Sequence, residues 1–230
     1  MYGARIETIL SMIHTCGTAA DIGTDHGIVA LELLRRGIAG RVIATDISAA
    51  SLEKAKALAA AEGIAEMETR LGDGLRPLAF GEADTAVLAG MGGRLIARIL
   101  GDQEETARGI YELILQPMHS LRDLRRWLYD HEYRVLAERL AQEGDRYYHV
   151  LRVIHGQDDL ILPLHMEIGR KLIEERDPLL PGYLLHLMRK NRQRMAQIGR
   201  VDTPRTRAAM ERCRVLMSLY REVLRETDSW

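Results

Sequence analysis

A chain of 230 residues and 26.0 kDa can hold one α/β domain of ordinary size plus a small appendage. With 47% hydrophobic and 28% charged residues, no apolar run long enough to span a bilayer and no signal-peptide pattern, membrane and secretory classes are set aside. A cytoplasmic location is therefore expected. Cys16 and Cys213 lie far apart and the eight histidines are scattered, so neither a disulfide framework nor a metal site is expected. The net charge of −1 is unevenly spread: residues 182–226 carry eleven Lys or Arg against four acids, about +7, which leaves about −8 on the rest.

Residues 5–13 place Ile6, Ile9, Leu10 and Ile13 on one helical face. A first strand over residues 18–22 ends in Asp21-Ile22-Gly23-Thr24-Asp25-His26-Gly27 and runs straight into a helix over residues 28–36. Gly37 and Gly40 precede a second strand, residues 41–46, which closes on Asp46 and Ile47. Ser48 is a good N-cap for an alanine-rich helix through Ala61, and Gly63 ends it. A third strand over residues 67–71 meets the turn Gly72-Asp73-Gly74. The fourth, residues 83–89, ends at Ala89 and closes on Gly90-Met91-Gly92-Gly93, with a helix over residues 94–100. The fifth, residues 112–115, ends at Gln116-Pro117 and leads to a helix over residues 121–130.

Residues 133–140 and 147–154, joined by a polar stretch, read as a closing hairpin. Five strand-helix units followed by a hairpin predict a mostly parallel seven-stranded sheet with an antiparallel edge strand, a Rossmann-like class I methyltransferase layout in the α/β class. After residue 157 the alternation stops. Helices are expected over residues 163–175, 183–198 and 204–226, and the last two can pair as a coiled-coil-like antiparallel hairpin. The expected domains are therefore residues 1–157 and 158–230.

A glycine-spaced turn between a strand and a helix places a ligand over the carboxyl ends of the strands. In the dinucleotide version, backbone N–H groups and the helix N-terminus face a pyrophosphate, and acidic side chains in the turn would oppose it. Asp21 and Asp25 stand in that turn. Carboxylates suit S-adenosylmethionine, which carries an ammonium and a sulfonium and no phosphate. Asp46 is placed to hold ribose hydroxyls and Asp73 the adenine amino group, each at a successive strand end; the bland alternative for both is a turn or cap role. His26 stands at the lip of the pocket and is also a candidate there. Glycines at Gly90 and Gly92, with Met91, could leave room for a flat base beside the methyl donor, and Gln116 and Pro117 lie at the neighbouring strand end. The aromatic-proline pattern common in amino-nitrogen methyltransferases is absent from this place.

Arg189, Lys190, Arg192, Arg194, Arg200, Arg205, Arg207, Arg212 and Arg214 cluster on the last two helices, a surface suited to phosphate. Aromatic residues make up only 5%, which favours recognition of shape and backbone charge over stacking on single strands.

Through Ala20-Asp21-Ile22-Gly23-Thr24-Asp25-His26, Arg70-Leu71-Gly72-Asp73-Gly74-Leu75, Ala89-Gly90-Met91-Gly92-Gly93 and Leu113-Ile114-Leu115-Gln116-Pro117, the sequence resembles the bacterial tRNA adenine-N1 methyltransferases of the TrmK family. It departs from that family's usual residues at Thr24, Gly27, Ile28 and Met118. The resemblance implies an enzyme that uses S-adenosyl-L-methionine to methylate N1 of adenosine 22 in tRNA. It implies a donor site drawn from Asp21, Gly23, Asp25, His26, Gly27, Asp46, Ile47, Gly72, Asp73, Gly74, Ala89 and Gly90, and a base slot from Gly90, Met91, Gly92, Gln116 and Pro117. A monomer without metal, working on tRNA, is the expected form. A small-molecule methyltransferase and a non-catalytic RNA-binding protein on the same fold are the alternatives.

Overall fold

The computed structural model describes residues 2–158, 162–199 and 202–227. Its centre is a seven-stranded sheet in the order β3-β2-β1-β4-β5-β7-β6. Strands β1 (Cys16–Ile22), β2 (Ala39–Asp46), β3 (Met67–Leu71), β4 (Thr85–Met91) and β5 (Glu112–Pro117) run parallel. The antiparallel edge comes from the hairpin: β7 (Arg146–His155) lies against β5 and against the outermost strand, β6 (Tyr133–Glu143).

Period-two side chains explain the two layers of core. Ala20, Ile22, Ile43, Leu88, Leu113 and Leu115 pack on one face, with Ile96 and Leu100 of α4 (Gly93–Asp102) and Leu124 and Leu128 of α6 (Leu121–Asp130). Their immediate neighbours Ala19, Val42, Ala44, Val87 and Ile114 pack on the other, with Ile9 and Leu10 of α1 (Ala4–Ser11) and Val29, Ala30 and Leu33 of α2 (Ile28–Arg35). Both faces of the parallel sheet are thus covered, as parallel strands require. The helix α3 (Ala49–Ala61) begins at Ser48, whose hydroxyl accepts the Ser51 amide at 3.3 Å. The short α5 (Glu104–Arg108) was not foreseen, because five residues carry too little periodicity to reveal a helix.

The chain divides into two units, Met1–Glu167 and Ile168–Trp230. The boundary falls ten residues beyond the expected one because α7 (Pro163–Glu167) belongs to the first unit: Arg125 donates to the Met166 carbonyl at 3.0 Å and Arg122 pairs with Glu167 at 3.1 Å. The single helix expected over residues 163–175 is therefore two pieces, α7 and α8 (Arg170–Glu174), parted at Gly169 with φ of 102°.

In the second unit α9 (Leu180–Ile198) starts earlier than expected, since Pro181 sits in its first turn, where a missing N–H costs nothing. It pairs with α10 (Pro204–Thr227) through Leu184, Met188, Cys213, Met217 and Tyr220, and Asn191 Nδ2 donates to the Cys213 carbonyl at 2.7 Å. Val223 takes the buried position near the end of α10.

Candidate functional site

Strand order reverses at β1, which has β2 on one side and β4 on the other, so the crevice opens above the ends of these strands. There the chain turns sharply, with positive φ at Gly23 (72°), Asp25 (47°) and Gly27 (74°). A side chain at Gly27 would come within 2.7 Å of Ala55 Cβ, so glycine lets the turn lie directly on α3. The turn's amides are engaged inward. Gly23 and Thr24 donate to the Thr45 carbonyl at 2.8 and 3.0 Å, Asp25 to Asp46 Oδ2 at 3.2 Å and Gly27 to the Thr24 carbonyl at 2.9 Å. A pyrophosphate would find few free N–H groups here. What the turn presents outward is carboxylate.

Asp21 is buried, accepts the Thr24 hydroxyl at 2.6 Å and also takes the Ala30 amide of α2. Burial pushes its carboxyl up to about 6; the Thr24 and Ala30 hydrogen bonds oppose the rise and the charge on Asp46 adds to it. Asp46 is held by the amides of Asp25 and Ser48, at 3.2 and 2.7 Å. A carboxylate has about four lone-pair sites, so it keeps acceptor capacity for hydroxyls.

Two cavities meet along Gly23. The smaller, about 150 Å³, is bounded by Asp46, Ile47, the Gly72-Asp73-Gly74 turn and Met91. Ile47 stands 75% exposed, an apolar surface of the kind an adenine ring covers. The larger, about 280 Å³, is bounded by Arg5, Asp21, Asp25, His26, Gly90 and Met118. Carboxylates, an exposed apolar surface at Ile47 and two adjoining cavities make a lining that suits S-adenosylmethionine, which has hydroxyls, an apolar ring and a charged tail. His26 lies exposed with Nε2 3.5 Å from Asp25 Oδ2. Asp73 is exposed at the rim, and its turn is clamped by Gln103, whose amide donates to the Asp73 carbonyl at 3.2 Å and whose oxygen accepts the Leu75 amide.

The structure separates the residues expected around a base slot. The fourth strand does not stop at Ala89: it runs to Met91 through a bulge at Gly90, where φ is 78° and the register against β5 shifts. Gly90 therefore faces the larger cavity and Met91 the smaller, whereas Gly92 and Gly93 face neither. A side chain at Gly92 would meet the His119 ring at 2.4 Å, and one at Gly93 the Ser120 carbonyl at 2.5 Å, so these two glycines serve close packing on the loop before α6. Gln116 and Pro117 close β5 at its carboxyl end, as expected, and both are buried there. Gln116 acts through others: its oxygen accepts Arg5 Nη1 at 2.9 Å and the Gly90 amide at 3.2 Å.

Arg5 and Gln103 escaped the sequence reading. Arg5 lies in α1 and Gln103 in the turn between α4 and α5; each is placed by contacts with residues far away in the chain, and no local pattern signals it.

Arg189, Lys190, Arg192, Arg194, Arg205 and Arg212 of the second unit are exposed and have no side-chain partner among the described residues, while Arg207 pairs with Asp202 and Arg214 with Glu211. Arg200 lies outside the described residues. No group of three or more metal-ligating side chains occurs among the described residues, and no helix there is long and apolar enough to cross a membrane.

Sheet order, carboxylate-lined turn and paired cavities together define a class I methyltransferase. The family described as "Methyltransferase domain" matches residues 2–151. A Bacillus subtilis (strain 168) tRNA (adenine(22)-N(1))-methyltransferase is 29% identical over 227 residues, covering 96% of this chain and 95% of its own. The crystal structure of the B. subtilis m1A22 tRNA methyltransferase TrmK superimposes with a TM-score of 0.85 at 28% identity, covering 97% of this chain and 99% of that one. A Streptococcus pneumoniae protein solved with S-adenosyl-L-methionine gives 0.81 at 27% identity, covering 97% and 100%. The chain belongs to the methyltransferase domain family and, within it, to the TrmK family.

Proposed function

We propose that the protein methylates N1 of an adenosine in tRNA, at position 22 in the D-loop region, with S-adenosyl-L-methionine as donor. The observation that carries this is the engagement of the Gly23, Thr24, Asp25 and Gly27 amides within the protein, together with Asp21, Asp25 and Asp46 around the crevice. The B. subtilis relative's activity supplies the base and position.

In this reading Asp46 would hold the ribose and Ile47 with the Gly72-to-Gly74 turn the adenine, while Asp21 and Asp25 face the cationic tail. The bound donor would supply a methyl group on a sulfonium, already activated toward a nucleophile. Neutral adenine N1 has a lone pair and no proton to lose, so the protein needs no general base, and His26 is assigned none. The chain's contribution is orientation and exclusion of water at the Gly90 bulge. N1 is occupied in a Watson–Crick pair, so the target must be unpaired or flipped out. The unpartnered cations of α9 and α10 are assigned to the tRNA backbone, which uses the second unit for binding and the first for chemistry. A single chain carries both parts and acts as a monomer. Two free thiols and a tRNA substrate suit the reducing cytoplasm.

Incubation of the purified protein with labelled donor and tRNA, followed by mapping of the modified nucleotide, tests the reading. Label at N1 of adenosine 22 is the expected result. Label elsewhere, or none with donor bound, overturns it.

A further inference from the structure

Arg5 enters the larger cavity from α1, a helix seated at two points. Its own amide donates to Glu143 Oε1 of β6 at 2.9 Å, and Glu7, two residues on, pairs with Arg36 at 2.8 Å. The guanidinium is aimed as firmly. Nη1 donates to the buried Gln116 oxygen at 2.9 Å, and the group lies 6.0 Å over the Tyr148 ring. The same Gln116 oxygen takes the Gly90 amide, so one acceptor ties the cation to the bulge that borders the site. Arg5 has no carboxylate partner among the described residues, although Asp21 and Asp25 bound the same cavity. Of its five side-chain N–H donors, the Gln116 bond engages one.

A cavity that offers carboxylates and one unneutralised guanidinium matches a zwitterion, and the tail of S-adenosylmethionine is one. We propose that Arg5 binds the α-carboxylate of the donor's methionine end, a reading that rests on the donor assignment above. Two arguments favour this over a phosphate of the RNA. The cavity joins the adenosine side through Gly23 and is bounded by two aspartates that would repel a second anion. An arginine left unpaired beside the acceptor base would also oppose the positive charge that N1 gains on methylation; a carboxylate cancels it.

Calorimetry on the full chain with S-adenosylmethionine and with its decarboxylated analogue tests this without any mutation. The wild type is expected to bind the intact donor about 10- to 100-fold more tightly, the range of a charge-assisted hydrogen-bonded pair. Equal affinities overturn the proposal. Arg5→Gln should lose that factor for the intact donor and bind both ligands alike, with Arg5→Lys in between. An Arg5→Gln protein that keeps the discrimination assigns the carboxylate to another group and overturns the proposal. So does one whose donor affinity is unchanged while its KM for tRNA rises, which would assign Arg5 to an RNA phosphate. Failure of the wild type to bind either ligand would instead defeat the donor assignment itself.

Discussion

The buried carboxyl of Asp21 should make donor binding depend on pH. Its pKa stands at about 6 because burial disfavours the charged form. A cationic ligand in the adjoining cavity favours the carboxylate, so binding must expel whatever proton the free protein holds. If the bound form returns to an ordinary carboxylate value of about 4, the free protein at about pH 5 is protonated roughly ten times in eleven, and apparent affinity falls about tenfold from its value at about pH 7.5. The loss should begin near pH 6. Calorimetry across that range, in buffers of differing ionisation heat, would show release of about half a proton per binding event near the midpoint. Asp21→Asn should flatten the profile. The same shift has a consequence for the unliganded fold: a raised carboxyl pKa stabilises at low pH, and that contribution is lost as pH rises through 6. The Asn variant should therefore gain on the wild type between about pH 4 and pH 7, by at most about 3 kcal/mol. A wild-type affinity that stays level from pH 5 to 7.5, or an Asn variant with the wild-type profile, would refute the role given to Asp21.

Three further outcomes are expected. Gly93→Ala drives a Cβ to 2.5 Å from the Ser120 carbonyl and should cost about 1–3 kcal/mol in urea melts, whereas Gly90→Ala meets nothing closer than Arg5 at 3.9 Å and should cost about 1 kcal/mol for its positive φ alone; equal losses would contradict the packing assignment. Gln103→Ala releases the Gly72-to-Leu75 turn and should weaken donor binding severalfold while KM for tRNA holds, so an unchanged donor affinity would remove Gln103 from the site. Replacing Arg205 and Arg212 together by Gln should make the salt dependence of tRNA affinity shallower by about two ion contacts with donor affinity intact, and an unaltered slope would detach the second unit from RNA binding.

What could be read from the sequence was local. Asp46 closing a run of Val42, Ile43 and Ala44, or Gly72-Asp73-Gly74 closing residues 67–71, announces a strand end within a few residues, and strand ends define the crevice of this fold. The helix pair α9 and α10 was legible for the same reason, since a 3.6-residue repeat of Leu184, Met188, Cys213, Met217 and Tyr220 carries its own partner face. The glycines after Ala89 could not be told apart in the sequence because their meaning depends on register. A bulge against β5 makes Gly90 part of the site, and the proximity of His119 and Ser120 makes Gly92 and Gly93 part of the packing, yet the three look alike in one dimension. Gln116 stands at the strand end where the sequence placed it, but its burial and its bonds to Arg5 and Gly90 depend on distant residues that no local pattern reveals.

Gln116 shows how a buried amide can organise the wall of a site. A lone buried glutamine is costly unless every polar atom is paired, and here the oxygen takes Arg5 and Gly90 while the nitrogen donates to the Pro117 carbonyl at 3.0 Å. Satisfying that side chain fixes three things at once: the bulge in β4, the cation on α1 and the carbonyl ahead of Met118. A leucine of similar size would fill the space and leave the Gly90 amide and Arg5 without their acceptor, so the fold would survive with its cavity wall loosened. The polar residue in the sheet is thus what couples an N-terminal helix to the ends of the central strands, and that coupling is what lets a surface arginine serve a pocket built by β1 and β4.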